Sequence, residues 1–264
     1  MVAVAPIASL VFLTPIVFMT LTAVMARQQV LTQRYWPDPL RLGNFATVFT
    51  SIPLWRYTAN TLLVAVLSSL GVIISSAPAA YAFAKLRWRG RDALFVVVLA
   101  TMMLPAQVTV IPIYVMFTQD FGWAGSLKPL IVPSFFGDAF SIFLLRQFFR
   151  TIPDELSEAA RIDGARELQV LLRVVVPLAK PALVTVGMFA FLYSWNDFFT
   201  PLLYVGETPA NYTLSLGLTE FQSTHGTLWN MTMAASLLFM LPTTVLFFAA
   251  QRVFIEGIAI TGIK

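Results

Sequence analysis

Two carboxylates occupy positions where a charge is costly. Asp138, following Gly137, and Asp197, in Ser194-Trp195-Asn196-Asp197, both fall within long apolar stretches. Hydrocarbon solvates charge poorly, so an ionisable group at membrane depth raises a functional hypothesis. Trp195 offers an apolar ring face, while Asn196 and Asp197 offer hydrogen-bonding groups. Together they suit a hydroxylated solute such as a sugar. The same polar groups would equally serve to cap or cross-link helices, and both readings stand. Asn60 and Gln107 are two further polar side chains that could face a pathway. No catalytic set emerges. The two acids lie in different stretches without flanking motifs, and His225, the one histidine, has no carboxylate or serine at recognisable spacing. Cys 0 excludes thiolate ligands and thiol nucleophiles, so neither a catalytic residue nor a metal site is expected.

A second constellation is chemical in another sense. Residues 153–177, Pro-Asp-Glu-Leu-Ser-Glu-Ala-Ala-Arg-Ile-Asp-Gly-Ala-Arg-Glu-Leu-Gln-Val-Leu-Leu-Arg-Val-Val-Val-Pro, form the one long charged island. Pro153 suits a first helical position, Asp154 and Glu155 complement the positive end of the helix dipole, and Gly164 is a natural stop. A second helix follows, with Leu168, Leu171, Leu172 and Val175 on one face and Arg166, Gln169 and Arg173 opposite, ended by Pro177. The pair predicts an amphipathic device at the membrane surface that docks another protein. Glu158-Ala159-Ala160 is expected to be exposed, with Glu158 facing solvent and Leu156 and Ala159 on the apolar side.

The elements that carry these residues are read from composition. The chain is 58% apolar and 11% charged, with mean hydropathy +0.78. Soluble domains average about 45–50% and about 25%, so an all-α, polytopic membrane protein is expected. A spanning helix needs about 20 apolar residues. Six candidates result, near 3–25, 60–84, 93–118, 128–149, 181–204 and 230–251, in one domain over 1–264. The first lacks the basic start of a secretory signal and reads as a span whose abrupt beginning leaves room for an upstream start. Ser68, Ser69, Gly71, Ser75, Ser76, Ala77, Ala79 and Ala80 make a small-residue stripe suited to close packing. Pro105 and Pro112, then Pro129 and Pro133, should kink their helices and free carbonyls that need partners within the bundle.

Basic residues set the orientation. Of the 17 Lys and Arg, one set of loops holds Lys85, Arg87, Arg89, Arg91, Arg146, Arg150, Arg161, Arg166, Arg173, Lys180, Arg252 and Lys264; the other holds Arg27, Arg34, Arg41, Arg56 and Lys128. The richer set belongs in the cytoplasm. Both termini and the 150–180 loop are then cytoplasmic, and 27–59 and 205–229 are outer loops. The net charge of +4 is thus accounted for without nucleic acid.

Glu158-Ala159-Ala160, then Gly164, then Val174-x-Val176-Pro177 resembles the EAA loop of ABC-importer permease subunits, with Val where Ile and Leu are usual. Asn60-Thr-Leu-Leu-Val-Ala-Val, Ala80-Tyr-Ala-Phe-Ala-Lys, Ile152-Pro-Asp-Glu, Ile162-Asp-Gly, Trp195-Asn-Asp and Gly257-Ile-Ala-Ile-Thr-Gly-Ile-Lys are similar to the carbohydrate-uptake branch, in particular the shorter permease of maltose-type systems. The resemblance implies a bacterial inner-membrane, multi-pass permease that takes a sugar from an extracytoplasmic solute-binding protein. Its further partners would be a second homologous permease, an ABC ATPase dimer and membrane lipid. Glu158, Ala159, Ala160, Asp163 and Gly164 would couple to the ATPase. No cofactor is expected on this chain: it lacks G-x-x-x-x-G-K-[ST], so ATP and Mg would be used by the partner. In maltose-type relatives the sugar site lies mainly on the longer permease, and the loop matching 205–229, with Glu207, Tyr212, Glu220, His225 and Trp229, reaches toward the binding protein. Glycerol 3-phosphate or a polyol is the alternative cargo. A phosphate would favour a basic residue in the pathway, and none lies deep in a span. An ion-coupled secondary transporter would call for more spans, inverted repeats and a charge relay.

Overall fold

A computed structural model describes residues 4–32, 34–223 and 226–261; His225, residue 3 and Lys264 lie outside the described residues. In chain order the helices are α1 (Val4–Ala23), α2 (Gly43–Ser51), α3 (Leu54–Lys85), α4 (Arg91–Thr101), α5 (Ala106–Val115), α6 (Lys128–Ile131), α7 (Ala139–Phe149), α8 (Asp154–Ile162), α9 (Glu167–Val170), α10 (Val176–Leu178), α11 (Lys180–Asn196), α12 (Phe199–Val205), α13 (Leu214–Gly217) and α14 (Trp229–Thr261). A short antiparallel ribbon, β1 (Gln222–Ser223) with β2 (Gly226–Thr227), is a local exception to the helical fold.

Among the described residues, Leu54–Lys85, Lys128–Phe149 and Trp229–Ala249 are long and apolar enough to cross a membrane. Two bent pairs raise that number to up to five, and Val11–Ala23 is a shorter apolar helix. Where the sequence predicts a single span at 93–118, Arg91–Thr101 and Ala106–Asp120 meet at 89°. A residue before proline is pushed out of the helical region, and Pro105 has no N–H to continue the ladder. At the start of the predicted 181–204 span, Glu167–Leu178 and Lys180–Asn196 meet at 84°, with Pro181 just inside the second helix. That span also breaks at its far end, at Asp197 and Phe198, before α12 begins. Helix α3 starts at Leu54, right after Pro53, so it is longer than the predicted 60–84.

The chain divides into two compact units. The first comprises residues 1–60 and 212–246. Here Asn44 donates from Nδ2 to the Ala23 and Met25 carbonyls (2.7 and 2.9 Å), satisfying groups that the end of α1 leaves unpaired. Tyr57, fully buried, donates from Oη to Glu220 (2.6 Å) and stands 5.7 Å from the Tyr212 ring.

The second unit comprises residues 61–211 and 247–264, and its core joins Tyr81, Phe95, Leu145, Phe149, Val170, Val175 and Val186. The small-residue stripe of α3 serves the broken segment at 128–137. Ser68 Oγ donates to the Leu130 carbonyl (3.0 Å), Ser75 Oγ shares its proton between its own-helix Gly71 carbonyl (2.8 Å) and the Ser134 carbonyl (3.1 Å), and Ser76 Oγ accepts from the Asp138 N–H (3.3 Å). The segment tightens to a 3-10 turn over Val132–Phe136 and breaks at Gly137, so the Ser134 carbonyl and the Asp138 N–H have no helical partner and meet α3 instead. Gly71 permits the approach: a Cβ there would lie 2.8 Å from the Phe135 ring and 2.9 Å from Ser134 Oγ.

Gly71→Val should therefore destabilise the purified protein by about 1–3 kcal/mol through overpacking. Gly43→Ala, with nothing within 4 Å of the new methyl, should be neutral or slightly stabilising. Thermal unfolding followed by tryptophan fluorescence checks the pair; equal midpoints would mean that α3 does not need this close contact.

Candidate functional site

The 150–180 loop folds as a helical hairpin with an inside and an outside. Helix α8 ends in a Schellman motif: Gly164 N–H donates to the Arg161 carbonyl and Ala165 N–H to the Ala160 carbonyl (both 3.0 Å), with Gly164 at φ +84°. A side chain is strained at that φ, so the glycine is what lets the chain reverse. Ser157 is buried, and Ala160 packs half-buried against the core. Glu158 and Ala159 are exposed.

The apolar side chains do not all point inward. Leu156 is 45% exposed and Ile162 87% exposed, and Leu168 and Leu172 are exposed as well. Val170, Leu171 and Val175 are buried instead. The predicted Leu168–Val175 face is corrected by a π turn over Leu171–Val175, whose i→i+5 spacing brings Val170 and Val175 to one side. The hairpin thus buries Ser157, Val170, Leu171 and Val175 and leaves Leu156, Ile162, Leu168 and Leu172 exposed.

Charged pairs seat the hairpin on the end of α3. Tyr81 Oη donates to Glu167 Oε2 (2.5 Å), and Arg161 grips the same carboxylate through Nε (2.8 Å) and Nη2 (3.2 Å). The Arg161 guanidinium first, and the Tyr81 hydroxyl second, hold the Glu167 carboxyl below its usual range. Lys85, its side chain nearly buried, donates to Asp154 Oδ1 (2.6 Å) and to the Ile152 carbonyl. That bond lowers the Asp154 carboxyl in the same way. The sequence reading did not single out Tyr81, Lys85, Asp154, Arg161 or Glu167 as a set. Tyr81, Lys85 and Asp154 stand in the motifs Ala80-Tyr-Ala-Phe-Ala-Lys and Ile152-Pro-Asp-Glu, which was the available signal.

A cavity of about 630 Å³ lies in the same unit, lined by Ser68, Asp138, Ser141, Phe189, Tyr193 and Asp197, among others. Asp138 caps α7, its Oδ2 accepting from the Ser141 N–H (2.8 Å) and hydroxyl. Asp197 Oδ1 accepts from the Thr200 N–H (3.1 Å) in the first turn of α12. Of the residues proposed for a pathway, only Asp197 reaches this cavity. Trp195 is fully buried and stacks on Phe191 at 5.5 Å. Asn196 donates to the Leu192 carbonyl of its own helix (2.8 Å), Asn60 donates to the Tyr212 carbonyl (2.9 Å), and Gln107 is exposed on α5. Helix periodicity explains the split. Neighbouring residues point about 100° apart, so Tyr193 and Asp197, four apart, share the face that Trp195 and Asn196 leave.

The family model for the binding-protein-dependent transport system inner membrane component matches residues 69–259. The chain belongs to this family. The permease is 33% identical over 260 residues to the diacetylchitobiose uptake system permease protein DasC of Streptomyces coelicolor, covering 95% of this chain and 91% of that one. It is 35% identical over 213 residues to the sn-glycerol-3-phosphate transport system permease protein UgpE of Shigella flexneri, covering 79% and 74%. A chain of a bacterial ABC transporter involved in the import of the acidic polysaccharide alginate superposes with TM-score 0.83 at 25% identity, covering 95% and 94%. The MetNI methionine ABC transporter, at TM-score 0.57 and 18% identity over 76% of this chain and 94% of that one, shares the fold. The permease is thus a non-catalytic component of a transport system, carried in a membrane.

Glu167→Gln should loosen the hairpin by about 1–2 kcal/mol, at the low end because Glu167 is half exposed, with Glu155→Gln as a neutral control. Limited trypsinolysis at Arg161, Arg166 and Arg173 reads it. A depressed carboxyl contributes stability above its unfolded pKa and loses it as pH falls through the folded value. Read instead by amide hydrogen exchange over the hairpin, protection in the unsubstituted protein should hold at neutral pH and fade as the pH falls through and below the ordinary carboxylate range. Equal cleavage of the two variants would mean that Glu167 does not seat the hairpin.

Proposed function

We propose that the permease is the sugar-translocating subunit of an ATP-driven importer and that its 150–180 hairpin is the element that engages the ATPase. The observation that carries this reading is the hairpin's polarity. Its inner side is fixed by buried Ser157, Val170, Leu171 and Val175 and by ion pairs, while Leu156, Glu158, Ala159 and Ile162 are exposed. Exposed apolar side chains bordered by charge are what a docking surface needs. Gly164 provides the turn, and Asp163, exposed at the end of α8, completes the set predicted to couple.

The assembly proposed around it is a second homologous permease, an ATPase dimer that binds ATP and Mg, and an extracytoplasmic binding protein, in the bacterial inner membrane. Both compact units act as one six-span permease domain with cytoplasmic termini. Relatives named for diacetylchitobiose and for alpha-glucoside transport support a sugar or oligosaccharide as cargo. The outer loop 205–229 meets the binding protein, through exposed Glu207 and Trp229 in preference to Glu220, which Tyr57 already engages.

Truncating one charge of a partly buried interfacial pair costs about 2–5 kcal/mol, against about 0–1 for a surface pair. Glu158→Lys and Gly164→Val should accordingly reduce ATPase co-purification and uptake at least about tenfold at normal membrane levels of the permease. Full assembly and uptake by both variants would remove the hairpin from the coupling role.

A further inference from the structure

The cavity bounded by α3, α7 and α11 has a charge character that neither the fold nor the hairpin requires. We propose that it is a solute-contacting section of the pathway contributed by this subunit, and that it passes neutral or cationic hydroxylated compounds, such as neutral or amino sugars, while excluding anionic ones. The proposal deepens the importer reading and rests on it.

Size comes first. About 630 Å³ lies within the ~300–1,000 Å³ of small-molecule sites. The second observation is where the backbone breaks. Irregular backbone at membrane depth is tolerated where it lines a cavity or is buried in protein, and transporters place such breaks at their solute sites. Two breaks open onto this one cavity: Gly137–Asp138, ahead of α7, and Asp197–Phe198, between α11 and α12. Each break carries a carboxylate at the start of the next helix, where dipole and capping geometry suit a negative group. Asp138 commits Oδ2 to both Ser141 bonds, and its Oδ1 has no hydrogen-bond partner among the described residues.

The third observation is the company these groups keep. Tyr193 stands four residues before Asp197 and is 77% exposed, which leaves its ring available. An aromatic face beside hydroxyl and carboxylate acceptors matches a sugar's apolar ring face and its hydroxyl donors. Among the described lining residues, Asp138 and Asp197 are the acidic groups and no Lys, Arg or His joins them. Two like charges with low-dielectric walls focus a negative potential into the cavity. A phosphate ester or a uronate meets repulsion there, whereas an ammonium or a hydroxyl meets acceptors.

The natural absence of cysteine (Cys 0) makes the test direct. Tyr193→Cys and Ser194→Cys each place a thiol on the cavity wall, in the complex assembled with its partner subunits stripped of accessible cysteine. Each is treated with cationic trimethylammonioethyl and anionic sulfonatoethyl methanethiosulfonate, with rates normalised to a small free thiol. The cation should react at least about tenfold faster than the anion. Adding Asp138→Asn and Asp197→Asn, which keep the caps because Asn caps as well as Asp, should bring the ratio near one. A ratio near one with both aspartates present, a preference that survives their replacement, or no reaction at either thiol in an intact complex overturns the proposal. So does a cognate binding protein that is stabilised in thermal-shift assays by glycerol 3-phosphate or a uronate but not by neutral or amino sugars. Failure of the importer reading looks different: the cation preference persists, but no sugar stimulates ATP hydrolysis by the complex.

Discussion

The carboxylate of Glu167 is the point on which the 150–180 hairpin depends. It accepts from Tyr81 at the end of α3 and from both faces of the Arg161 fork, so three separate stretches of chain are fixed around one group. Lys85 repeats the arrangement one turn further along α3, holding Asp154 and the Ile152 carbonyl. Exposed ion pairs contribute little to stability, but Tyr81 and the Lys85 side chain are buried on the helix side, where geometry is fixed. Their effect is to orient. They turn Ser157 and Ala160 of α8 inward and leave Leu156, Ala159 and Ile162 facing out.

The same helix meets a second requirement higher up. Segment 128–137 carries two prolines and a glycine at φ +97°, and its carbonyls would be stranded in hydrocarbon without outside donors. Ser68 and Ser75 provide them, and Gly71 lets the backbone come close enough for the bonds to form. Helix α3 therefore contributes Val64, Ser68 and Val72 to the cavity and Tyr81 and Lys85 to the hairpin seat. A packed core between these levels, including Ala77, Ala80, Leu145 and Val186, joins them in one unit. The hairpin seat and the cavity wall are thus built on one continuous helix.

Broken helices account for the mixed outcome in the polar residues. A carboxylate in an apolar stretch has two uses, capping and ligand contact, and the structure shows that they are compatible. Asp138 and Asp197 both cap, and both line the cavity, because a cap sits at a break and the breaks are what open the space. Trp195, which resembled a stacking platform, is core packing against Phe191.

The amino-acid sequence alone settled the helical, membrane-type composition, the family motifs, the amphipathic hairpin with its Gly164 turn, and the prolines that interrupt helices. These follow from local rules: side-chain period, proline's missing donor, and glycine's freedom at positive φ. Tertiary structure decided the rest. A proline marks a break but not its angle, and the 89° and 84° bends were set by what each half packs against. A heptad-like pattern marks an apolar face, yet a π turn and the docking of Ala160 chose which side of the hairpin is buried. The grouping of Tyr81 with Glu167 spans 86 residues of chain, and Lys85 with Asp154 spans 69, separations at which no local pattern specifies a partner. The cavity likewise exists only once α3, α7 and α11 stand together, which is why its two acids were visible in the sequence and their shared site was not.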